Sequence, residues 1–480
     1  MAEELKINGF HLYHWFLSGY ENLLKQKNYL NDINVFPVAD GDTGNNMVAT
    51  MYATLQLPNV FRSFSKTLLL LADRALSSAR GNSGIILAQY INGLANECPN
   101  RSSITPREFT LALTRAAAET GKALEDPKEG TMLTVMNVWS LEIDRLMKMG
   151  GNIQDRFSES LVSARDALEE TKNQLDVLRR SQVVDAGASG FVSFLEGISR
   201  MLITGKVSWQ RAAYIGQPED YADHEHEVPA SSEDITFRYC TEALLFREGG
   251  FPDDEKTTLK SAIAPLGDSS IISFGREKAK IHIHTNDPSR LFFILKDYGR
   301  IIEQKVDDMV HQYRAVHQPV ARIAILTDSI ADIPSELIDR YQIHVIPLKI
   351  LWGDDEYLDR LTISTESFYQ YLDSREAYPS SSVPDPLRVE QVFSWLVSHY
   401  DSVIAIPVGK VLSGTWKVMQ RSAEKVVANG YKFAVIDSKL NSAAQGLVVL
   451  AAAEDASNGK SHEEIIARTE ERIRGSKILV

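Results

Sequence analysis

Two aspartates separated by one glycine could bind a metal ion near the start of this chain. The segment INVFPVADGDTGNNM, residues 33–47, stops being apolar at Pro37 and continues into Asp40, Gly41 and Asp42. Glycine permits a tight turn, and in such a turn two carboxylates can face one hard cation. Magnesium held by one or two carboxylates normally completes its shell with phosphate oxygens. The loop therefore predicts a nucleotide site, with an ordinary turn that caps the next helix as the alternative.

A second turn could bind the phosphates themselves. The string RGNSG, residues 80–84, opens an apolar run. Its amides and the Ser83 hydroxyl could hold phosphate at a helix N-terminus, where backbone N–H groups are exposed. A plain turn between two helices is the alternative. The chain has no GxxxxGK[ST] motif, which disfavours a P-loop enzyme.

A cysteine and two histidines form a candidate zinc site. His282 and His284 alternate along a strand-like run, so both rings leave the same face, and Cys240 lies in another such run. Cysteine plus two histidines with an open position is a zinc pattern, although the spacing fits no standard zinc finger. A polar strand face with a buried cysteine is the alternative, and a structural role for the metal is as open as a catalytic one.

Two clusters of hydroxyl groups could bind an anion. Ser413, Gly414 and Thr415 follow a strand-like run at the start of a helical pattern, and helix N-termini attract carboxylate or phosphate. N-capping by Ser413 is the alternative. The second cluster, residues 380–382, precedes another helical pattern, and the two clusters could face each other at strand ends.

The elements that must position these residues follow from hydrophobic spacing. Leu68, Ala72 and Leu76 lie on one helical face. Later runs alternate between strand and helix patterns, with a turn at Gly275 and an apolar strand at 344–350, HVIPLKI. Strands that alternate with helices predict a parallel sheet.

The chain of 480 residues is long enough for three domains. We predict an all-α domain at 1–205, an exposed acidic linker at 206–234, a small α+β domain at 235–320 and an α/β domain at 321–480.

Composition restricts the partners and the compartment. The net charge is −13 and no basic run could follow a nucleic acid backbone. The longest apolar stretch, 446–453, is too short to span a bilayer, and the start MAEELKING lacks a signal-peptide pattern. Cys98 and Cys240 are too few for a disulfide framework. We therefore expect a cytoplasmic protein with no nucleic acid partner and no integral membrane segment.

Four motifs in the first domain resemble the DhaL family, the nucleotide-binding part of dihydroxyacetone kinases, and more closely the N-terminal domain of bacterial fatty-acid kinases. They are NVFPVADGDTGNNM, RGNSGIILAQ, PKEGTMLTV and VVDAGASG, in that order. The resemblance implies a helical barrel that holds two Mg²⁺ ions between the acidic loop and ATP.

Asp40 and Asp42 match the metal-binding, catalytic aspartates of that family, and Asn34 stands near the place of a third, acidic ligand. For Thr131 and Met132, core packing is the alternative to contact with adenine. The nucleotide-binding positions that the resemblance implies are Thr43, Gly44, Asn46, Gly81, Asn82, Ser83, Gly84, Thr131, Met132, Asp185 and Gly187.

The remaining domains resemble two further families. Residues 237–317 resemble the middle domain of fatty-acid kinases, which favours metal binding by Cys240 and the two histidines. From residue 322 the chain resembles the DegV family of fatty-acid-binding proteins through TDSIADIP, YPSSSVP, VLSGTW and VIDSKLNSAAQG. That family holds a fatty-acid carboxylate with hydroxyls that correspond to Ser381 and Ser413. Its pattern continues beyond the end of this chain, so either the sequence is a piece of a longer one or the domain is partial.

The combined resemblance implies a kinase that phosphorylates a bound fatty acid with ATP and Mg²⁺, giving an acyl phosphate and ADP. A carboxylate is ionised at neutral pH, so this transfer requires no general base. The alternatives are a dihydroxyacetone-type kinase and a non-catalytic lipid-binding regulatory protein. A fatty acid is the expected ligand; a homodimer and an acyltransferase that uses the acyl phosphate are further candidate partners.

Overall fold

The structure is a computed structural model, and the residues that it describes form two compact units. They are 6–36, 41–124, 127–205, 235–374 and 377–477. The first unit holds those up to 205 together with 235–285 and 298–305, and the second holds 286–297 and 306–477. The linker predicted at 206–234 lies outside the described residues, and the predicted domain bounds stay predictions.

Helices form the N-terminal part of the first unit, as predicted. Leu68, Ala72 and Leu76 are buried on one face of the fourth helix, and a capping box at Thr105 begins the sixth. In chain order the helices are α1 (Gly9–Lys25), α2 (Lys27–Asp32), α3 (Thr43–Leu55), α4 (Phe64–Ser78), α5 (Gly81–Glu97), α6 (Pro106–Ala123), α7 (Met132–Lys148), α8 (Ile153–Gln174), α9 (Asp176–Ser181) and α10 (Ala186–Thr204).

One apolar core runs through these helices and surrounds α5. Every residue of α5 from 84 to 95 is buried. Helices α1 and α10 approach closely at Gly197, where an added Cβ would lie 2.3 Å from the carbonyl oxygen of Ser18. The N-terminal ends of α3, α5, α7 and α10 carry most of the predicted nucleotide residues.

A four-stranded sheet in the order β2-β3-β1-β4 follows the helices, which bears out the predicted α+β segment. The predicted turn is present, because the Gly275 N–H donates to the Lys278 carbonyl. The sheet lies on α5, where Asn92 donates to the Phe274 carbonyl. The elements are β1 (Tyr239–Phe246), α11 (Asp253–Ile263), β2 (Gly267–Phe274), β3 (Lys278–Thr285), α12 (Pro288–Leu295) and β4 (Arg300–Asp308).

The second unit contains the predicted parallel sheet, in the order β11-β10-β5-β6. Its remaining elements are α13 (Met309–His317), β5 (Ile323–Asp328), α14 (Ser335–Tyr341), β6 (His344–Ile346), β7 (Lys349–Trp352), β8 (Asp355–Leu358), α15 (Thr365–Ser374), β9 (Ser380–Ser382), α16 (Pro386–His399), β10 (Ser402–Ala405), α17 (Thr415–Ala428), β11 (Phe433–Val435), α18 (Ser442–Ser457) and α19 (His462–Gly475).

The prediction of one strand at 344–350 was wrong. This run contains two strands, β6 in the parallel sheet and β7 in an antiparallel sheet of order β8-β7-β9. Pro347 lies between them and has no N–H to donate to a ladder, so the chain changes sheets there. Within the described ranges, no helix has the length and apolar character needed to cross a bilayer.

Candidate functional site

The acidic loop ends where α3 begins. Gly41 has a φ of +62° and gives the predicted turn, whereas Asp40 lies outside the described residues. Asp42 occupies the N-cap position of α3, and its half-buried carboxylate makes no capping hydrogen bond. Capping of α3, which was the alternative to metal binding, therefore does not account for the Asp42 carboxylate.

The neighbours of Asp42 in the first turn of α3 are enclosed. Thr43 is 5% exposed, and a Cβ on Gly44 would lie 2.1 Å from the carbonyl oxygen of Lys27 in α2. Asn34, which follows α2, is 4% exposed. The carboxylate and amide oxygens of Asp42 and Asn34 are hard ligands of the kind that Mg²⁺ prefers, so the donor chemistry fits that ion.

Helix α3 meets the start of α5 directly. Gly81 begins α5 with a φ of +57°, and a Cβ there would lie 2.4 Å from the Asn46 side-chain nitrogen. A Cβ on Gly84 would lie 2.4 Å from the Thr50 hydroxyl. The acidic loop and the RGNSG turn, far apart in sequence, are thus joined through α3.

Four of the predicted nucleotide residues converge on Gly187 at the start of α10. A Cβ added to Gly187 would lie 2.9 Å from Met132 Cε, 3.2 Å from Ser83 Oγ and 3.4 Å from Asp185 Oδ1. These residues come from three of the four motifs and from the starts of three helices. Helix N-termini expose unpaired N–H groups, so this end of the unit suits an anion.

The Asp185 carboxylate ties two of these helix starts together. It accepts the Ala188 N–H at 2.7 Å and the Met132 N–H. Asp185 is 6% exposed, and burial raises its pKa to about 6 even though both N–H groups oppose that shift. Its neighbours Val184 and Ala186 pack against Ile33, next to Asn34.

Two predicted positions have different surroundings. The Thr131 hydroxyl donates to the Lys128 carbonyl at 2.8 Å, a bond within its own turn. Met132 is 2% exposed and belongs to the core, so core packing and contact with adenine both remain open for it. Asn82 Oδ1 is buried and has no hydrogen-bond partner in the part of the chain that the structure describes.

The small sheet brings the predicted zinc residues together. Strands β1 and β3 are antiparallel and place Cys240 opposite His284. One ligand atom each from Cys240, His282 and His284 lies within 4.8 Å of the other two. Burial, followed by repulsion from His282, lowers the pKa of His284 to about 3, so its ring is neutral as a metal ligand must be.

An unpaired atom in this cluster supports a metal. His282 Nε2 is buried and has no hydrogen-bond partner among the described residues, while its Nδ1 lies 3.9 Å from Cys240 Sγ. A buried polar atom without a partner is costly, and a zinc ion bound by neutral nitrogen and thiolate would remove that cost. The residues therefore fit zinc.

Sequence reasoning missed two groups that the structure brings together. The first is Glu242, which lies 3.8 Å from His282 Nδ1; it shares a strand face with Cys240, a signal that was present in the alternation of β1. The second is a group of possible ligands, Asp308, His311 and Asp339, whose atoms also lie within 4.8 Å of one another. Asp308 there accepts the His311 N–H as the cap of α13.

The two hydroxyl clusters of the second unit lie on neighbouring segments. A Cβ on Gly414 would lie 3.1 Å from Val383 Cγ1. Gly414, not Ser413, is the N-cap of α17, although the Ser413 hydroxyl accepts the Thr415 N–H at 3.2 Å. Ser381 is exposed in β9. Trp416 Nε1 is buried without a partner among the described residues and offers a further donor that the sequence did not indicate.

Curated relatives of this chain occur in Staphylococcus aureus. An uncharacterised protein of strain USA300 is 31% identical over 325 residues, which cover 65% of this chain and 57% of the relative. One of strain MRSA252 is 30% identical over 324 residues with the same coverage. The chain thus spans a little over half the length of these relatives.

Solved structures match the C-terminal part. A crystal structure of DegV, a fatty acid binding protein from Bacillus subtilis, has 32% identity, covers 32% of this chain and 54% of its own, and has a TM-score of 0.30. A DegV family protein from Thermus thermophilus, described in terms of fatty acid binding, has 28% identity, the same coverage and the same score.

Three family matches cover successive parts of the chain. Residues 37–200 match the DAK2 domain, residues 236–316 match the FakA-like middle domain of fatty acid kinases, and residues 322–480 match the DegV family of uncharacterised proteins. The chain therefore combines the domains of a fatty-acid kinase, a DAK2 domain and a FakA-like middle domain, with a domain of the DegV family.

Proposed function

We propose that this chain transfers the γ-phosphoryl group of ATP to a fatty-acid carboxylate held by its DegV-like part. The convergence of Ser83, Met132 and Asp185 on Gly187, at the starts of three helices, carries the proposal for the nucleotide. The match of residues 236–316 to a fatty acid kinase supports the choice of acceptor. An ATP-dependent reaction also suits the cytoplasm, where we place the protein.

The nucleotide residues have separate tasks in this proposal. The Ser83 hydroxyl and the amides of Gly81 and its neighbours at the start of α5 contact phosphate oxygens. Met132 and Gly187 bound the adenine side. Asp42, with Asp40 and Asn34, holds Mg²⁺, and bound Mg²⁺ neutralises charge on the phosphates and on the transferring group.

The reaction is a direct displacement at phosphorus. A carboxylate oxygen of the fatty acid forms a bond to the γ-phosphorus while the bond from that phosphorus to the β,γ-bridging oxygen breaks. The products are an acyl phosphate and ADP, and no proton moves because the carboxylate is already ionised. The task of the protein is therefore to position the groups and to stabilise the charge.

We assign the fatty-acid carboxylate to the hydroxyls of Ser381 and Ser413. The proposal is supported by the contact between their segments at Gly414 and Val383 and by the amides of α17, which begins beside Ser413. Zinc at Cys240, His282 and His284 is part of the same proposal, on the basis of the unpaired His282 Nε2.

The test is formation of acyl phosphate, trapped with hydroxylamine, from ATP and oleate. We expect Asp42→Ala to lower kcat/KM by at least about a hundredfold, since phosphoryl transfer depends on the metal. Asp166→Ala removes an exposed carboxylate of α8 and serves as the matched control with unchanged activity.

The rival functions give different results in that assay. A dihydroxyacetone-type kinase would make ADP with dihydroxyacetone and not with oleate. A non-catalytic lipid-binding protein would make no ADP with either acceptor. Full activity of Asp42→Ala with oleate would show that the metal site is assigned wrongly. Light scattering during the assay tests a homodimer, and an added acyltransferase that consumes acyl phosphate tests the downstream partner.

A further inference from the structure

Glu242 is a buried carboxylate in the middle of β1. It is 2% exposed and lies opposite His282 in the register with β3. Its Oε2 pairs with Lys280 Nζ at 3.0 Å, and Lys280 is also buried. A buried charge must be paired and hydrogen-bonded to be tolerated, so the other oxygen of Glu242 also needs partners.

The other oxygen, Oε1, accepts the Gly81 N–H at 3.2 Å. Gly81 is the first residue of α5 and has the left-handed φ of +57°. Arg80, at the N-cap position, contributes no side-chain cap. A residue of the small sheet thus supplies the carboxylate that caps the helix on which we place the ATP phosphates.

The same oxygen lies 3.8 Å from His282 Nδ1. His282 is 1% exposed and has its Nε2 without a hydrogen-bond partner among the described residues. A carboxylate beside one ring nitrogen of a metal-binding histidine commonly fixes the orientation of that ring. Glu242 Oε1 is therefore within reach of both the nucleotide turn and the candidate zinc cluster.

We propose that Glu242 is a positioning residue that couples zinc binding at Cys240, His282 and His284 to nucleotide binding at the start of α5. Bound zinc fixes the His282 ring, the ring and Lys280 fix Glu242, and Glu242 fixes the Gly81 amide. The next amides and Ser83 then face the phosphates without further rearrangement. This inference rests on the proposed function, because it requires a nucleotide at this turn.

Coupling of this kind is reciprocal, so zinc must tighten nucleotide binding by the same factor by which nucleotide tightens zinc binding. We expect a factor of about ten, within the usual range for two coupled sites. Both factors are equilibrium quantities and can be measured without turnover.

Glu242→Asp is the most informative substitution. It keeps the charge that Lys280 requires but shortens the side chain by one methylene, which withdraws the carboxylate from Gly81 and His282. A second variant, Glu242→Gln with Lys280→Met, removes both charges of the buried pair together and avoids an isolated buried ammonium. Lys278→Met is the matched control, since Lys278 joins the same sheet to α4 through Asp73 at 2.9 Å, away from Gly81.

The experiment is calorimetric titration of the full chain with Mg-ADP, before and after loading with Zn²⁺. We expect zinc to lower the Kd for Mg-ADP about tenfold in the wild type and in Lys278→Met. In both Glu242 variants that ratio falls to about one, while zinc still binds with the wild-type stoichiometry because its ligands are unchanged.

The outcomes separate the two proposals. A wild type that binds no Mg-ADP overturns the proposed function. Nucleotide binding that is indifferent to zinc in the wild type, or coupling that survives in both Glu242 variants, overturns the role of Glu242 and leaves the proposed function standing. Loss of coupling in Lys278→Met as well would also overturn it, since any weakening of the sheet against the helices would then suffice.

Discussion

At the scale of single residues, Asp185 determines how two helix starts are held. Its carboxylate accepts N–H groups from Ala188 and from Met132, and so joins α10 to α7. An ionised group in this position is stabilised by the two donors and destabilised by burial, and burial wins. The residue thus makes the stability of the helical domain depend on pH.

The sign of that dependence follows from the pKa. The pKa of Asp185 is raised from 3.8 to about 6 in the folded protein. The folded state therefore binds the proton more tightly, and its contribution to stability is complete below pH 4 and is lost as the pH rises through 6. We expect the free energy of unfolding of the wild type, relative to Asp185→Asn, to fall by on the order of 2 kcal/mol between pH 4 and pH 7.

Urea unfolding at several pH values measures this difference. Asp185→Asn keeps an acceptor oxygen for the Ala188 N–H but does not titrate, and Asp166→Asn is the exposed control. Parallel curves for the wild type and Asp185→Asn would contradict the raised pKa.

At the scale of elements, helix packing depends on close backbone contact between α1 and α10. The Ser18 hydroxyl donates to the Gly197 carbonyl at 2.9 Å, and a Cβ on Gly19 would lie 2.4 Å from the Phe194 ring. Since α10 begins at the Asp185 turn, its seating against α1 also sets the position of the nucleotide residues at its start.

Gly197→Ala should destabilise the protein by about 2 kcal/mol, because the new methyl group would meet the Ser18 and Gly19 backbone, which cannot rotate away. Gly121→Ala in α6 is the matched control, since a Cβ there meets nothing within 4 Å. Alanine is the better helix former, so we expect that control to gain about 0.5–1 kcal/mol. Urea midpoints measure both, and equal stability of the two variants would contradict the close-packing account.

The elements that sequence analysis predicted well are those with local signals. Leu68, Ala72 and Leu76 repeat with the helical period, and Gly275 marks a turn between two strands. The run 344–350 misled because its apolar residues conceal a change of sheet at Pro347. The contact of Glu242 with Gly81 joins residues far apart in sequence, and it depends on strand register and on packing of the sheet against α5. Neither is encoded near Glu242.

At the scale of the whole molecule, one chain carries the proposed donor site and the proposed acceptor site. Two sites on one chain meet at an effective concentration that can reach the millimolar range, well above that of a micromolar protein. We therefore expect transfer to occur within one chain rather than between chains.

Mixing two inactive variants tests this expectation. One is Asp42→Ala, and the other is Ser381→Ala combined with Ser413→Ala. At about micromolar concentration we expect the mixture to recover less than about a tenth of wild-type acyl phosphate formation, since each chain lacks one half of the reaction. A mixture of wild type with either variant is the control for inhibition. Recovery to half the wild-type rate would instead show that transfer occurs between chains.

The path of the chain between the two units affects how its gene can be divided. Residues 286–297 belong to the second unit, 298–305 return to the first, and from 306 the chain remains in the second. A single stop codon or protease site therefore cannot yield two fragments that each hold one whole unit. Division at 320, the boundary that the sequence predicts, leaves segments of the second unit, including α12 and α13, on the N-terminal fragment. Two separate genes for these units would thus need a rearranged order of segments, whereas one gene keeps them in place.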